Sequence, residues 1–413
     1  DKHYAWVVGL QARALDQQAR YEALEDVAAG NYAFALQGWL PKDESGRVVD
    51  SLRQKFGDGV IVETRTADEH HDHNVPVKLS NAPWVRPFEL LLGVFDPPKY
   101  GGFDPTWVVA IFFPFIFGMI VGDMAFGLIF LAIGLLLRAK GARGEALDLG
   151  ILGITIPAEP LKSVGTIINW AAFWTVVFGF IYGEFFGTFL EHWPANNPVF
   201  YHGDHHGMIR ILLFRVEEFT PVMLIAIAIG VLQILAGWGI RAYYGLKHRD
   251  MKHFWEGIGM VAGLIGLVVF AASLVSGVTT PLMTAVTIAG FAVFLVSATI
   301  IKAPLMVVEL IANGGNILSY LRIFAVGLSA ALIAALATDL GFAIAHSVQV
   351  PVLGAVLGIV VAVFVNLLAV TIKIIAYTMQ PLRLQYVEFF SKFGFHDESG
   401  RPYKPFRLLG GKQ

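Results

Sequence analysis

From Trp107 onward the chain is a succession of apolar segments, roughly 106–137, 164–190, 219–244, 254–275, 281–301, 316–345 and 352–390. A helix crosses the hydrocarbon core with about 20 residues, and lipid offers no partner for open backbone. Runs of that length therefore dictate a mainly α fold, a polytopic bundle of membrane helices. Composition agrees where it matters. Only 15% of residues are charged, against about 25% in soluble domains. A net charge of -2 leaves no footprint for nucleic acid. Cysteine is absent, which excludes disulfides and thiolate metal sites.

Loop charges set the topology. Arg138, Lys140 and Arg143 form one basic cluster; Arg241, Lys247, Arg249 and Lys252 form a second. Lys392, Arg401, Lys404, Arg407 and Lys412 form a third. The positive-inside rule places all three in the cytoplasm. For the polar N-terminal region to share that side, 106–137 must cross an even number of times. Gly122-Asp123 divides that segment, so a hairpin of two short helices is expected, giving about eight membrane helices. One long helix with Asp123 in mid-span is the competing reading. The thirty-nine residues of 352–390 would span ~58 Å as helix. Such a helix tilts steeply or projects into the cytoplasm, so the last two helices are expected to be long and tilted. Gly179, Gly183 and Gly187 have the spacing of close helix contact.

Residues 1–104 read as part of a small cytosolic α/β domain, 105–395 as the membrane domain and 396–413 as a cytoplasmic tail. The first part contains an amphipathic helix over 4–29, with Trp6, Leu10, Ala14, Tyr21 and Leu24 near one stripe. A small β-α-β unit follows: a strand over Tyr32–Trp39, a helix around Val49–Phe56 and a strand over Gly59–Glu63. The amphipathic pattern is already under way at Tyr4, so more of the protein is expected upstream.

Two arginines stand out. Arg322 lies two turns into its apolar segment, with Ser319 and Ser329 on its face. Arg383 follows a polar stripe in which Asn366, Lys373 and Gln380 recur every seven residues. Charge at mid-bilayer costs ~2.5–3.5 kcal/mol on the insertion scale, and arginine cannot shed its proton. Snorkelling, or pairing with Glu388, is the structural explanation. Two such residues on consecutive helices, each with polar neighbours, point instead to function. Asp123, Glu184, Glu256, Glu309 and Asp339 are further ionisable groups in apolar surroundings. Arg241, His253, Glu256 and Glu309 sit near the cytoplasmic ends of their segments, Asp339 and Glu184 nearer the outer ends. Together they can line aqueous half-paths on both sides of the arginines. His70, His71 and His73, and the loop with His202, Asp204, His205 and His206, have ligand residue types without a metal motif, so no metal is expected. No P-loop is present, and no cofactor is expected.

The run Asn313–Ala325 around Arg322 resembles the large membrane stator subunit of V-type and A-type rotary ATPases, subunit a or I. So do Pro381–Phe393 around Arg383, Phe113–Met124, Val85–Glu89 and Leu36–Pro41, and the likeness covers essentially the whole chain. The bacterial or archaeal branch fits best, because the external loops are short. The vacuolar branch would carry a glutamate near Lys373 and a histidine near Gln380, and this sequence departs from both. The resemblance implies a stator with two ion half-channels against a proteolipid ring, where Arg322 and Arg383, with Gln380, meet each ring carboxylate. It implies further partners: peripheral-stalk subunits, a central stalk, a soluble ATPase sector and membrane lipid. It implies a cell membrane location, and a counter-charge to the arginines that lies outside this chain. A self-contained proton- or cation-coupled transporter also explains the buried charges, but neither the long final helix nor the absence of an evident internal repeat. A structural membrane scaffold is the third class.

Overall fold

The computed structural model describes residues 2–25, 27–30, 32–67, 75–93, 97–149, 154–189, 200–201, 209–210, 215–216, 219–393, 400–403 and 405. The histidines at 70, 71, 73, 202, 205 and 206 lie outside these residues, as does Asp204. Two compact units result: residues 1–80, 95–104 and 398–413 form one, and 81–94 with 105–397 form the other.

The smaller unit holds helix α1 (Lys2–Glu25), strands β1 (Val27–Ala29) and β2 (Phe34–Leu36), and helix α2 (Lys42–Phe56). The strands pair antiparallel, Val27 opposite Leu36 and Ala29 opposite Phe34. The expected β-α-β unit is therefore corrected. Its first strand pairs backward with residues 27–29, and 60–67 forms no strand. Ile61 is 91% exposed, so the run that reads as a second strand buries nothing that would hold it against a neighbour.

The larger unit is helical. α3 (Thr106–Val121) and α4 (Met124–Ala142) are separated by the Gly-Asp pair noted in the sequence. Gly122 adopts a left-handed φ of 48°, which ends α3. Asp123 then caps α4, accepting from Ala125 N at 2.8 Å and Phe126 N at 3.2 Å. α5 (Ala158–Tyr182) runs antiparallel to α4 on a glycine seam. A Cβ on Gly127 would strike Val176, and one on Gly141 would strike Ala158 and Lys162. α3 runs the same way as α5: Gly118 abuts Trp174 and Thr175, and Gly122 abuts Tyr182. α3 and α4 are thus antiparallel, the hairpin that parity demands. Of the three spaced glycines, only Gly179 packs helix on helix, against Asp123 and Met124; Gly183 and Gly187 follow the end of α5 with positive φ.

α6 (Phe219–Lys247), α7 (Met251–Ser276) and α8 (Pro281–Ile301) follow as antiparallel neighbours. α9 (Met306–Ser319) and α10 (Leu321–Ser347) are one long helix interrupted at Tyr320. α11 (Pro351–Arg383) returns along α10, with Gly341 against Gly358 and Gly354 against Ala345. Pro381 sits inside α11 and lacks the N–H that a helix interior uses. Just beyond it the chain widens into a π-turn over Leu384–Phe389 and a tighter turn over Phe390–Lys392. Among the described residues seven helices are long and apolar enough to cross a membrane, and α3, at 16 residues, is shorter. The chain is a multi-pass membrane protein. Its last two spans, Met306–Ser347 and Pro351–Lys392, have 42 residues each, or roughly 63 Å of helix, twice the hydrocarbon thickness.

Candidate functional site

Three polar clusters lie in the larger unit. "Basic end" denotes the end where α4 stops and α5 starts, near Arg138, Lys140 and Arg143; "far end" denotes the other.

The middle cluster surrounds Arg322. The π-turn rotates two polar side chains inward, and Gln385 and Glu388 are buried at 0% and 2% exposure. Glu388 Oε1 lies 3.6 Å from Arg322 Nη1. Gln385 Oε1 accepts from Gln233 Nε2 of α6 at 3.3 Å. Tyr320 fills the helix interruption and packs on Gly230. This corrects the expectation that both arginines find their counter-charge outside the chain, because Arg322 has Glu388. Arg383 differs. It is exposed on α11 and its guanidinium makes no hydrogen bond or close ion pair among the described residues, with Glu388 within electrostatic reach. Several buried polar atoms of this cluster have no hydrogen-bond partner among those residues: Tyr320 OH, Gln233 Oε1, Gln385 Nε2, Gln380 Oε1 and Glu388 Oε2. Buried polar atoms require partners, and water is the usual one.

The far-end cluster surrounds a small cavity of about 20 Å³ lined by Asp123, Glu184, Arg215, Asn366, Lys373 and Tyr377, among others. Asp123 also accepts from Gly187 N at 2.8 Å, which ties the α3–α4 break to the turn after α5. Arg215 is 3% exposed. Its Nε donates to Glu184 Oε1 at 2.8 Å and its Nη2 to Glu184 Oε2. Its remaining N–H groups collect carbonyls at the end of α3, Ile120 at 2.9 Å, Val121 at 3.2 Å and Gly122 at 3.3 Å. The guanidinium lies 4.4 Å over the Tyr182 ring. Lys373 Nζ donates to Ser329 O and Oγ at 3.2 and 3.1 Å.

The basic-end cluster holds Arg241 and Glu256, paired at 2.9 Å across α6 and α7. Glu309 lies within electrostatic reach of Glu256, Arg241 and Lys392. His253 Nδ1 sits 2.6 Å from Asp250 Oδ2. Partial desolvation pushes the Asp250 carboxyl up, but hydrogen bonds from the His253 ring and from the backbone of His253 and Lys252 outweigh it. The net result holds Asp250 below the ordinary carboxylate range. Asp339 is exposed on α10.

Sequence reading missed two members. Arg215 stands between the apolar segments in a stretch of mixed polarity, where nothing local marks it as buried. Lys392 reads as a tail charge, yet it is 7% exposed and packs against Gly237 of α6. Glu388 beside Arg322 is a signal the sequence does carry.

A family model described as the V-type ATPase 116kDa subunit family matches residues 10–202. This match covers 193 of the 413 residues, a little under half of the chain. It is 30% identical over 441 residues to the A-type ATP synthase subunit I of Archaeoglobus fulgidus, covering 94% of this chain and 61% of that protein. With the A-type ATP synthase subunit I of Pyrococcus abyssi it shares 26% identity over 412 residues, 98% of this chain and 58% of that protein. A V-type ATP synthase subunit I of Borreliella burgdorferi is 26% identical over 337 residues, 76% of this chain and 50% of that protein. The chain thus spans about three fifths of the length of the first two relatives. All three polar clusters fall C-terminal to residue 202 in whole or in part, so the family match rests on the smaller unit and the first helices rather than on the arginines.

Proposed function

We propose that the chain is the membrane stator subunit of a rotary ATPase or ATP synthase. Subunit I names among its relatives support this reading. One observation carries the ion-coupling part of it. Arg383 is an exposed fixed cation on a helix whose apolar span is only 11% buried within the chain. A cation at that depth is stable only opposite a counter-charge or water. A ring of proteolipids bearing one carboxylate each would supply both the missing apolar cover and the counter-charge.

In this reading a ring carboxylate, neutral in lipid, ionises on meeting Arg383 and Arg322, since opposite charge favours the charged form. Glu388 holds the Arg322 guanidinium in place, and Gln380 and Gln385 offer hydrogen bonds nearby. The basic-end cluster of Arg241, His253, Glu256 and Glu309 serves as the cytoplasmic half-channel. The far-end cavity of Asp123, Glu184 and Lys373 serves as the outer one. The arginines stand between them and repel protons, blocking a direct leak. Peripheral-stalk subunits would bind the smaller unit, and a central stalk and soluble ATPase sector would complete the complex in a cell membrane. The test is Arg322→Ala and Arg383→Ala in the reconstituted complex. ATP-driven ion pumping should be lost in each; survival in both would overturn the proposal.

A further inference from the structure

The far-end cavity presents two acids and two cations, and three of these four groups are occupied. Asp123 caps α4 and fastens Gly187, so its two oxygens hold three backbone N–H groups. Both oxygens of Glu184 are taken by Arg215. Arg215 in turn spends its donors on Glu184 and on the α3 carbonyls, and a guanidinium is not deprotonated in proteins. Lys373 is different. Its ammonium lines the cavity and, among the described residues, hydrogen-bonds only Ser329, with no carboxylate paired to it. An ammonium with three donors keeps one for water. Tyr377, buried at 2%, stands one turn from Lys373 on the side of the arginines.

The titratable and charged groups facing Lys373 are thus Asp123 from the α3–α4 break, Glu184 and Arg215 from the segments after α5, and Tyr377 on its own helix. On α10, Ser329 faces it directly. Arg322 lies two turns further toward the basic end.

Resting on the stator reading, we infer that Lys373 is the proton carrier of the outer half-channel, an amine doing the work that a carboxylate in the last helix would otherwise do. In each cycle Nζ gives one proton to water or to a ring carboxylate beside the arginines and keeps the electron pair. It then takes one proton from a hydronium ion in the cavity, which leaves as water, and no other bond changes.

The experiment uses the complete complex in liposomes, with ATP-driven acidification followed across a pH series for Lys373→Arg, Lys373→Gln and Lys373→Glu. Co-purification of ring and soluble sector establishes assembly for each variant. The inference expects at least ten-fold lower pumping in both Lys373→Arg and Lys373→Gln. It expects Lys373→Glu to pump, with its pH profile moved to lower pH, because a carboxyl titrates far below an amine. Wild-type pumping by Lys373→Arg would overturn it, since a fixed charge would then suffice, and so would wild-type pumping by Lys373→Gln. Arg322→Ala is run in the same preparation. If that variant pumps normally the stator reading itself fails. If it is inactive while Lys373→Arg pumps, only the role of Lys373 fails.

Discussion

Replacing Arg215 by methionine tests whether the far end is held together as the geometry implies. The side chain is 3% exposed and its partner Glu184 is 14% exposed, so solvent screens the pair little. Methionine keeps much of the length and apolar bulk but removes every donor. Glu184 is left as a buried charge without its partner, for which losses of ~3–5 kcal/mol are typical. The carbonyls of Ile120, Val121 and Gly122 lose a donor as well, and each group left dry adds ~1–3 kcal/mol. Water entering from the adjoining cavity will recover part of this, so a loss of about 4 kcal/mol is expected. The assay is equilibrium unfolding in mixed detergent micelles, followed by tryptophan fluorescence. Glu184→Gln is measured alone and combined with Arg215→Met. The double variant should cost less than the sum of the singles by roughly 2 kcal/mol or more, because the second change removes a charge the first has stranded. Arg215→Lys should rescue poorly, since a point charge cannot span both the carboxylate and the helix end. A loss below ~1 kcal/mol for Arg215→Met, or strict additivity in the cycle, would refute the reasoning.

Four further expectations follow from other parts of the molecule. A Cβ on Gly141 would lie 2.7 Å from Ala158 O and from Lys162 N, so Gly141→Leu should force α4 and α5 apart and cost ~1–3 kcal/mol or more. Gly239 on α6 has nothing within 4 Å, so Gly239→Ala should be neutral or stabilising by up to ~1 kcal/mol in the same assay. Glu388→Gln strips Arg322 of its internal counter-charge; ATP-driven pumping in the reconstituted complex should fall, and unchanged pumping would remove Glu388 from any positioning role. Because Asp250 is held below the ordinary carboxylate range, the stability it adds is present above the unfolded value of ~3.9 and lost as pH falls through the folded value. The stability gap between wild type and Asp250→Asn should therefore narrow below about pH 4, and a gap constant across acidification would contradict the assignment.

How far the sequence reaches differs from one part to another. Gly122-Asp123 was legible as a break because its chemistry is local: a left-handed glycine ends one helix and a carboxylate caps the next. Arg322 and Arg383 were legible because lipid makes a fixed charge conspicuous wherever it stands. The second strand at 59–63 was misread because alternation records only that a strand is possible, while a ladder needs a partner. Arg215 was invisible because the cause of its burial is remote. Its carbonyl acceptors lie on α3 and its carboxylate beyond α5, about ninety and thirty residues earlier.

By itself the sequence determined that the chain crosses a membrane many times, where its helices divide, and which charges are anomalous. These follow from hydropathy and backbone chemistry, which act over a few residues and need no knowledge of neighbours. Only the tertiary structure decided how the charges are shared out. Glu388 pairs with Arg322 and lies within electrostatic reach of Arg383, Arg215 takes Glu184, and Asp123 is spent on capping, while Lys373 is left without a paired carboxylate among the described residues. Pairing depends on which helix faces lie within a few ångströms of each other. The glycine seams and the π-turn after Pro381 set those faces, and that geometry exists only once the helices are packed.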